Sequence, residues 1–100
     1  MQTKQSDILF KNNQFYINGD LTLYNVMSIY EKSLPDLYKC LQLCFDFSQL
    51  NSSDSSGLAL IIEWIKFSKR EKRRIQFLNL SKDIMLIAQA AGIDNLISSN

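Results

Sequence analysis

The sequence predicts an α/β domain with parallel strands joined by right-handed crossovers, and three observations carry that expectation. Runs of strand-like composition alternate with runs of helical period, in the order strand, strand, helix, strand, helix, strand, helix. The chain has 100 residues, which suits one modest hydrophobic core and is too short for two. With 46% hydrophobic and 21% charged residues, three glycines and one proline, the composition is that of a globular chain able to fold alone, neither disordered nor fibrous.

Each element has its own signal. Residues 7–10, DILF, and 14–18, QFYIN, are short strand-like runs, and the KNN between them has the composition of a hairpin turn. Gly19 and Asp20 break that pattern. Leu23, Val26, Met27 and Tyr30 then follow the spacing of an amphipathic helix over 22–34, with Thr22 as its N-cap. Pro35 either ends this helix or marks a turn into a second short piece through DLYK. Residues 41–47, LQLCFDF, read as a buried central strand followed by a loop, SQLNSS. A helix of about five turns starts at the N-cap Asp54, and IQFLNL (75–80) is the next strand. The last helix spans 81–93, with Ser81 as N-cap and Gly92 as stop signal.

Several function classes find little support. The net charge of +1 recommends neither nucleic acid nor an anionic membrane through a global field, although charge can still cluster locally. No apolar run is long enough for a signal peptide or a membrane span, so a cytoplasmic protein is expected. Cys40 and Cys44 are too few for a disulfide framework and lack the spacing or histidines of a zinc site, so they read as small packing residues and no metal or cofactor is expected. Catalysis has no histidine for proton transfer, no Walker-type loop and no carboxylate pair of recognisable catalytic spacing.

The most informative stretch runs from a buried strand through a serine-rich segment into a helix: FDFSQLNSSDSSGLALI, residues 45–61. It resembles the signature of the STAS domain family, the fold of the bacterial anti-sigma factor antagonists. Asp46, Phe47, Ser48 and Leu50 match its first part, and Asp54, Ser55, Ser56, Gly57 and Leu58 its second. The closing QFLNLSKDIMLIAQAAGIDNLI is similar as well, so the likeness covers about Gly19 to Ile97. It implies a mixed, mostly parallel sheet of four to five strands with flanking helices. Within the family, GLAL followed by a basic helix end looks most like the STAS subunits of Mla-type phospholipid-transport ABC complexes, which dock on the ATPase subunit. That implies a cytoplasmic chain held at the inner-membrane face through a transporter complex. Two residues depart from the pattern: Ser53 replaces an apolar residue, which bears on how the segment is anchored, and Phe47 replaces leucine.

The chemistry at the helix start fits two readings. Asp54 can accept from the unpaired N–H groups of the first turn, where the helix dipole favours negative charge. Gly57 in that turn costs the helix roughly 1 kcal/mol against alanine, so a neighbouring backbone or a partner needs the room. Ser55 aligns with the residue phosphorylated in anti-sigma factor antagonists. A phosphoryl group there meets the positive helix end but disrupts a packed partner surface. Ser55 and Ser56 are also simply good first-turn residues. Ser55 is no nucleophile unless a base activates it, and none is apparent in the sequence.

Leu58, Ile61, Ile62, Ile65 and Ser68 form the stripe expected to face the sheet. Leu60, Trp64 and Phe67 form a second row, expected to be exposed and, with Ser53 to Gly57, to bind a protein partner. Coverage by another helix of the same domain is the competing explanation. The basic run KFSKREKRR (66–74) reads as a solvated helix end complementing the dipole, or as a contact for anionic headgroups or nucleic acid. The expected partner is an ABC transporter ATPase subunit, or alternatively an anti-sigma factor kinase; neither nucleic-acid binding nor direct membrane insertion is expected.

Overall fold

A computed structural model describes residues 7–98. A four-stranded sheet has the order β1 (Asp7–Lys11), β2 (Gln14–Leu21), β3 (Gln42–Ser53), β4 (Arg74–Leu78). The first pair is antiparallel and the other two are parallel. Helices α1 (Val26–Leu37) and α2 (Ser55–Arg70) connect the parallel strands, and α3 (Lys82–Ala90) and the short α4 (Asp94–Ser98) follow β4.

The hairpin turns on Asn12 and Asn13, both at positive φ (54° and 60°), the conformation whose twist matches that of paired strands. Alternation along β2, β3 and β4 buries Phe15, Ile17, Leu43, Phe45, Phe47 and Phe77 on one face. Phe45 is the centre of a stack, with Phe15 at 4.8 Å on one side and Phe77 at 5.6 Å on the other. The opposite face carries Tyr16, Cys44, Asp46 and Gln76, all partly exposed. Both cysteines are free, and burial pushes both thiols up, which disfavours the reactive thiolate form.

Several boundaries differ from those expected of the sequence. Gly19 and Asp20 do not end β2; Gly19 adopts φ 82° at a register shift, and the strand continues to Leu21. That continuation gives SQLNSS a partner, so β3 runs on to Ser53 and no loop forms: Gly19 faces Leu50, Asp20 faces Ser52 and Leu21 faces Ser53. Helix α1 begins at Val26. Thr22 instead closes a turn before it, accepting from the Tyr24 N–H through Oγ1 (3.2 Å) while its own N–H donates to Asn25 Oδ1 (2.9 Å). The buried positions of α1 are Val26, Ile29, Ser33 and Leu37, which leaves Leu23 and Met27 outside the core. Pro35 is accommodated within α1, and the helix continues to Leu37. β4 ends at Leu78, and α3 is shorter than expected, with Gly92 at φ 75° beyond its end. Ser81 caps α3, accepting from the Ile84 N–H at 3.1 Å.

Candidate functional site

The serine-rich segment lies where β3 becomes α2, with Asp54 alone between them. Asp54 is extended (φ −88°, ψ −169°), and its Oδ1 accepts from the Ser56 N–H at 2.8 Å, the N-cap that the sequence called for. Its own N–H donates to Leu21 O at 3.2 Å, which ties the helix start to the end of β2.

Gly57 is explained by packing. A methyl group there would sit 1.9 Å from Ser53 Oγ and 3.1 Å from Ser53 Cβ. Ser53, the residue that departs from the family pattern, therefore fills the space that glycine leaves and donates its hydroxyl to Asp54 O at 2.8 Å.

Behind the segment, Asp20 is buried and accepts from Asn51 Nδ2 (2.7 Å) and Ser52 Oγ (2.8 Å). The Asp20 carbonyl accepts from Asn25 Nδ2 at 2.8 Å. One residue thus joins the end of β3 to the turn that starts α1. Sequence reading reduces Asp20 to a breaker beside Gly19, because the partners of its side chain, Asn51 and Ser52, lie some thirty positions away and nothing local announces them. Asp46 performs a similar task on the open face, accepting from the Ser48 N–H (2.8 Å) and Asn79 Nδ2 (3.2 Å). Burial opposes its charge, but these bonds outweigh burial and hold its pKa below the ordinary carboxylate value.

Ser55 is exposed at the first position of α2, and Ser56 is half-buried beside it. No side chain among the described residues hydrogen-bonds to the Ser55 hydroxyl. A phosphoryl group at Ser55 would have both solvent access and the positive end of a 16-residue helix.

The row Leu60, Trp64, Phe67 is not exposed. All three side chains are enclosed by their own chain, at 2%, 0% and 0% exposure, so they cannot form a docking face in the folded monomer. Trp64 stacks on Phe45 of the sheet with ring centroids 4.0 Å apart, and its indole N–H donates to Ser33 Oγ of α1 at 3.0 Å. Ser33 in turn donates to Tyr30 O, so this buried polar pair is satisfied. Phe67 meets the edge of Tyr38 at 5.0 Å. At about 100° per residue the positions from Phe67 and Leu60 round to Leu58 span about 180°, and α2 packs against α1, α3 and the sheet around that arc. The apolar excess of α2 therefore belongs to the core.

One exposed apolar patch lies instead on α1 and the turn before it. Leu23, Tyr24 and Met27 are 70%, 94% and 63% exposed. Next to them, Val26, Met27, Tyr30, Ala59, Leu60 and Glu63 line a groove of about 160 Å³ between the first turns of α1 and α2. Ala59 is exposed one turn beyond Ser55, so the groove adjoins the serine-bearing helix start. The helical spacing of Leu23 and Met27 suggests a shared buried stripe, but Leu23 lies before α1, and the face of α1 that packs carries Val26, Ile29, Ser33 and Leu37, which leaves Met27 outward.

Among the described residues no helix is long and apolar enough to cross a membrane, and no group of three or more metal-ligating side chains forms. Curated protein sequences offer no significant match to the chain. Two solved structures share its fold. The anti-sigma factor antagonist SpoIIAA in its unphosphorylated form is 19% identical, with a TM-score of 0.71 over 96% of this chain and 88% of that one. The Bacillus cell fate determinant SpoIIAA in the phosphorylated form is also 19% identical, with a TM-score of 0.67 over 96% of this chain and 91% of that one. A family described as the MlaB STAS domain matches residues 7–98, the full extent of the sheet and helices described above. With its Asp-Ser-Ser-Gly-Leu helix start and four-stranded mixed sheet, the chain belongs to the STAS family of protein-interaction domains.

Proposed function

We propose that this chain is a non-catalytic subunit that binds and regulates the cytoplasmic ATPase of an Mla-type phospholipid-transport ABC complex. The observation that carries the reading is the match of residues 7–98 to the MlaB STAS family. The contact surface in this proposal is Ser53 to Ser56 with Ala59, Leu23, Tyr24 and Met27, while Gly57, expected to share it, is buried against Ser53 and takes no part. Leu60 contributes only the floor of the groove, and Trp64 and Phe67 do not take part. A bound subunit regulates its partner by having different affinities for the partner's conformations, and the tied junction between β3 and α2 offers a rigid surface on which to do so.

The test is co-purification with the ATPase subunit of an Mla-type transporter from the native host, followed by titration of Tyr24→Ala/Met27→Glu and Ser55→Glu variants. Each variant is expected to weaken the complex at least about tenfold, since a charge placed in a packed interface is costly to desolvate. Undiminished affinity in both, with the fold intact by circular dichroism, would overturn the reading.

A second reading is an anti-sigma factor antagonist switched by phosphorylation of Ser55. The exposure of Ser55 at a helix N-terminus favours it, as does the shared fold with a protein solved in phosphorylated and unphosphorylated forms. Phosphoserine at position 55 in protein from the native host, and capture of a kinase-like anti-sigma factor, would select this reading over the first.

A further inference from the structure

The end of the molecule opposite the serine segment gathers most of its positive charge. Helix α1 ends there at Leu37, α2 at Arg70, and β3 and β4 begin there at Gln42 and Arg74. Within 36–41 and 69–74 lie the cations Lys39, Lys69, Arg70, Lys72, Arg73 and Arg74, against the carboxylates Asp36 and Glu71. This is a local excess of four positive charges in a chain whose net charge is +1, so the remainder carries a net charge of −3.

Part of the cluster is structural. Arg73 donates through Nη1 to Leu37 O (3.1 Å) and to Cys40 O, closing the carbonyl end of α1, and lies 6.0 Å over the Tyr38 ring. Lys39 pairs with Asp36 (3.0 Å) and Arg70 with Glu71 (3.3 Å). Lys69, Lys72 and Arg74 are exposed and form no ion pair among the described residues. Two large apolar side chains stand among these cations, Leu41 at 82% and Tyr38 at 54% exposure. The Leu41 carbonyl accepts from the Arg74 N–H at 3.1 Å, which fixes the aliphatic side chain beside the charges.

A solvated helix end accounts for one or two cations complementing the dipole. It does not account for three unpaired cations around an exposed leucine and a tyrosine. Cations to attract an anionic headgroup layer, with an aliphatic and an aromatic residue to enter its boundary, are the elements of an interfacial contact. We propose that this basic end binds an anionic phospholipid surface directly, as a peripheral contact without insertion of a helix. The proposal does not depend on which protein partner occupies the serine end.

The test uses the full chain and vesicles of phosphatidylcholine alone or with roughly 30% phosphatidylglycerol. Co-sedimentation at low salt is expected to show binding to the anionic vesicles at least about tenfold tighter than to the neutral ones, and loss of that preference near 0.5 M salt, where screening shortens to a few Å. The Lys69→Gln/Lys72→Gln/Arg74→Gln variant removes three cations that form no ion pair among the described residues. At roughly fivefold per surface cation its affinity should fall about 100-fold. Leu41→Ser should weaken binding several-fold without altering the salt dependence, and Ser55→Glu should leave it unchanged. Equal binding to both vesicle types, or an unchanged affinity in the triple variant, would refute the proposal, as would preference for duplex DNA or single-stranded RNA over anionic vesicles at the same salt.

Discussion

Replacing Trp64 with alanine removes the side chain on which α1, α2 and the sheet converge. The indole is fully buried, stacked 4.0 Å from Phe45 and bonded to Ser33. Truncating a buried tryptophan costs about 3–5 kcal/mol in transfer and cavity terms, and aromatic stacking lies toward the upper end of such losses. Domains of this size are stable by about 5–15 kcal/mol, so the variant should lose a large part of its margin. With a urea slope of about 1–3 kcal/mol per molar for small domains, the unfolding midpoint should drop by roughly 1–5 M. Trp64→Phe keeps the stack and gives up the bond to Ser33, so about 1–2 kcal/mol is expected. Unfolding must be followed by far-ultraviolet circular dichroism, because the chain has one tryptophan and the variants lack it. A Trp64→Ala protein within about 1 kcal/mol of the parent, yet unable to hold its partner, would refute the assignment of this residue to the core.

Two further outcomes follow from the site. Gly57→Ala should destabilise by about 1 kcal/mol despite alanine's better helix propensity, because the new methyl group meets Ser53. In a double-mutant cycle, Ser53→Gly/Gly57→Ala should cost less in thermal unfolding than the sum of its two single changes, because the clash is absent from the double variant, and simple additivity would place the constraint elsewhere. The depressed pKa of Asp46 means its ionised form favours the folded state. That contribution is complete above the unfolded carboxylate value of about 3.9 and fades as the pH falls through the lower folded value. Asp46→Asn should therefore unfold with a flatter acid limb in urea titrations between about pH 6 and pH 2; an acid limb as steep as the parent's would contradict the assignment.

What was legible in the sequence was mainly what is encoded locally. Asp54 and Ser81 announce their helices because an N-cap needs only the next two or three residues, and both make the bonds expected. The alternation of strands and helices survives because each element's period reports its own buried face. The errors arise where two distant segments decide the outcome together. SQLNSS has loop composition, but it finds a ladder partner in the bulged half of β2. Leu60, Trp64 and Phe67 look like a second face on a helical wheel, but the wheel cannot tell how wide an arc the neighbours cover; α1 widens it. Conversely, Leu23 and Met27 have core spacing and lie in solvent: the hydrogen bonds of Thr22 and Asn25 leave Leu23 before the helix, and α1 packs through Val26, Ile29, Ser33 and Leu37 instead of Met27.

Because β3 hands over to α2 through one residue, the segment that carries Ser55 has almost no slack. Asp54 donates to Leu21 O and accepts from Ser53 and Ser56, and just before it Asn51 and Ser52 are tied to Asp20. Recognition there needs no disorder to be quenched beforehand, so little ordering entropy would be lost on encounter. A chemical mark on Ser55 would then be read as a change of charge and bulk at a stationary point, much as a raised character is read on a type block, without remoulding the surface around it.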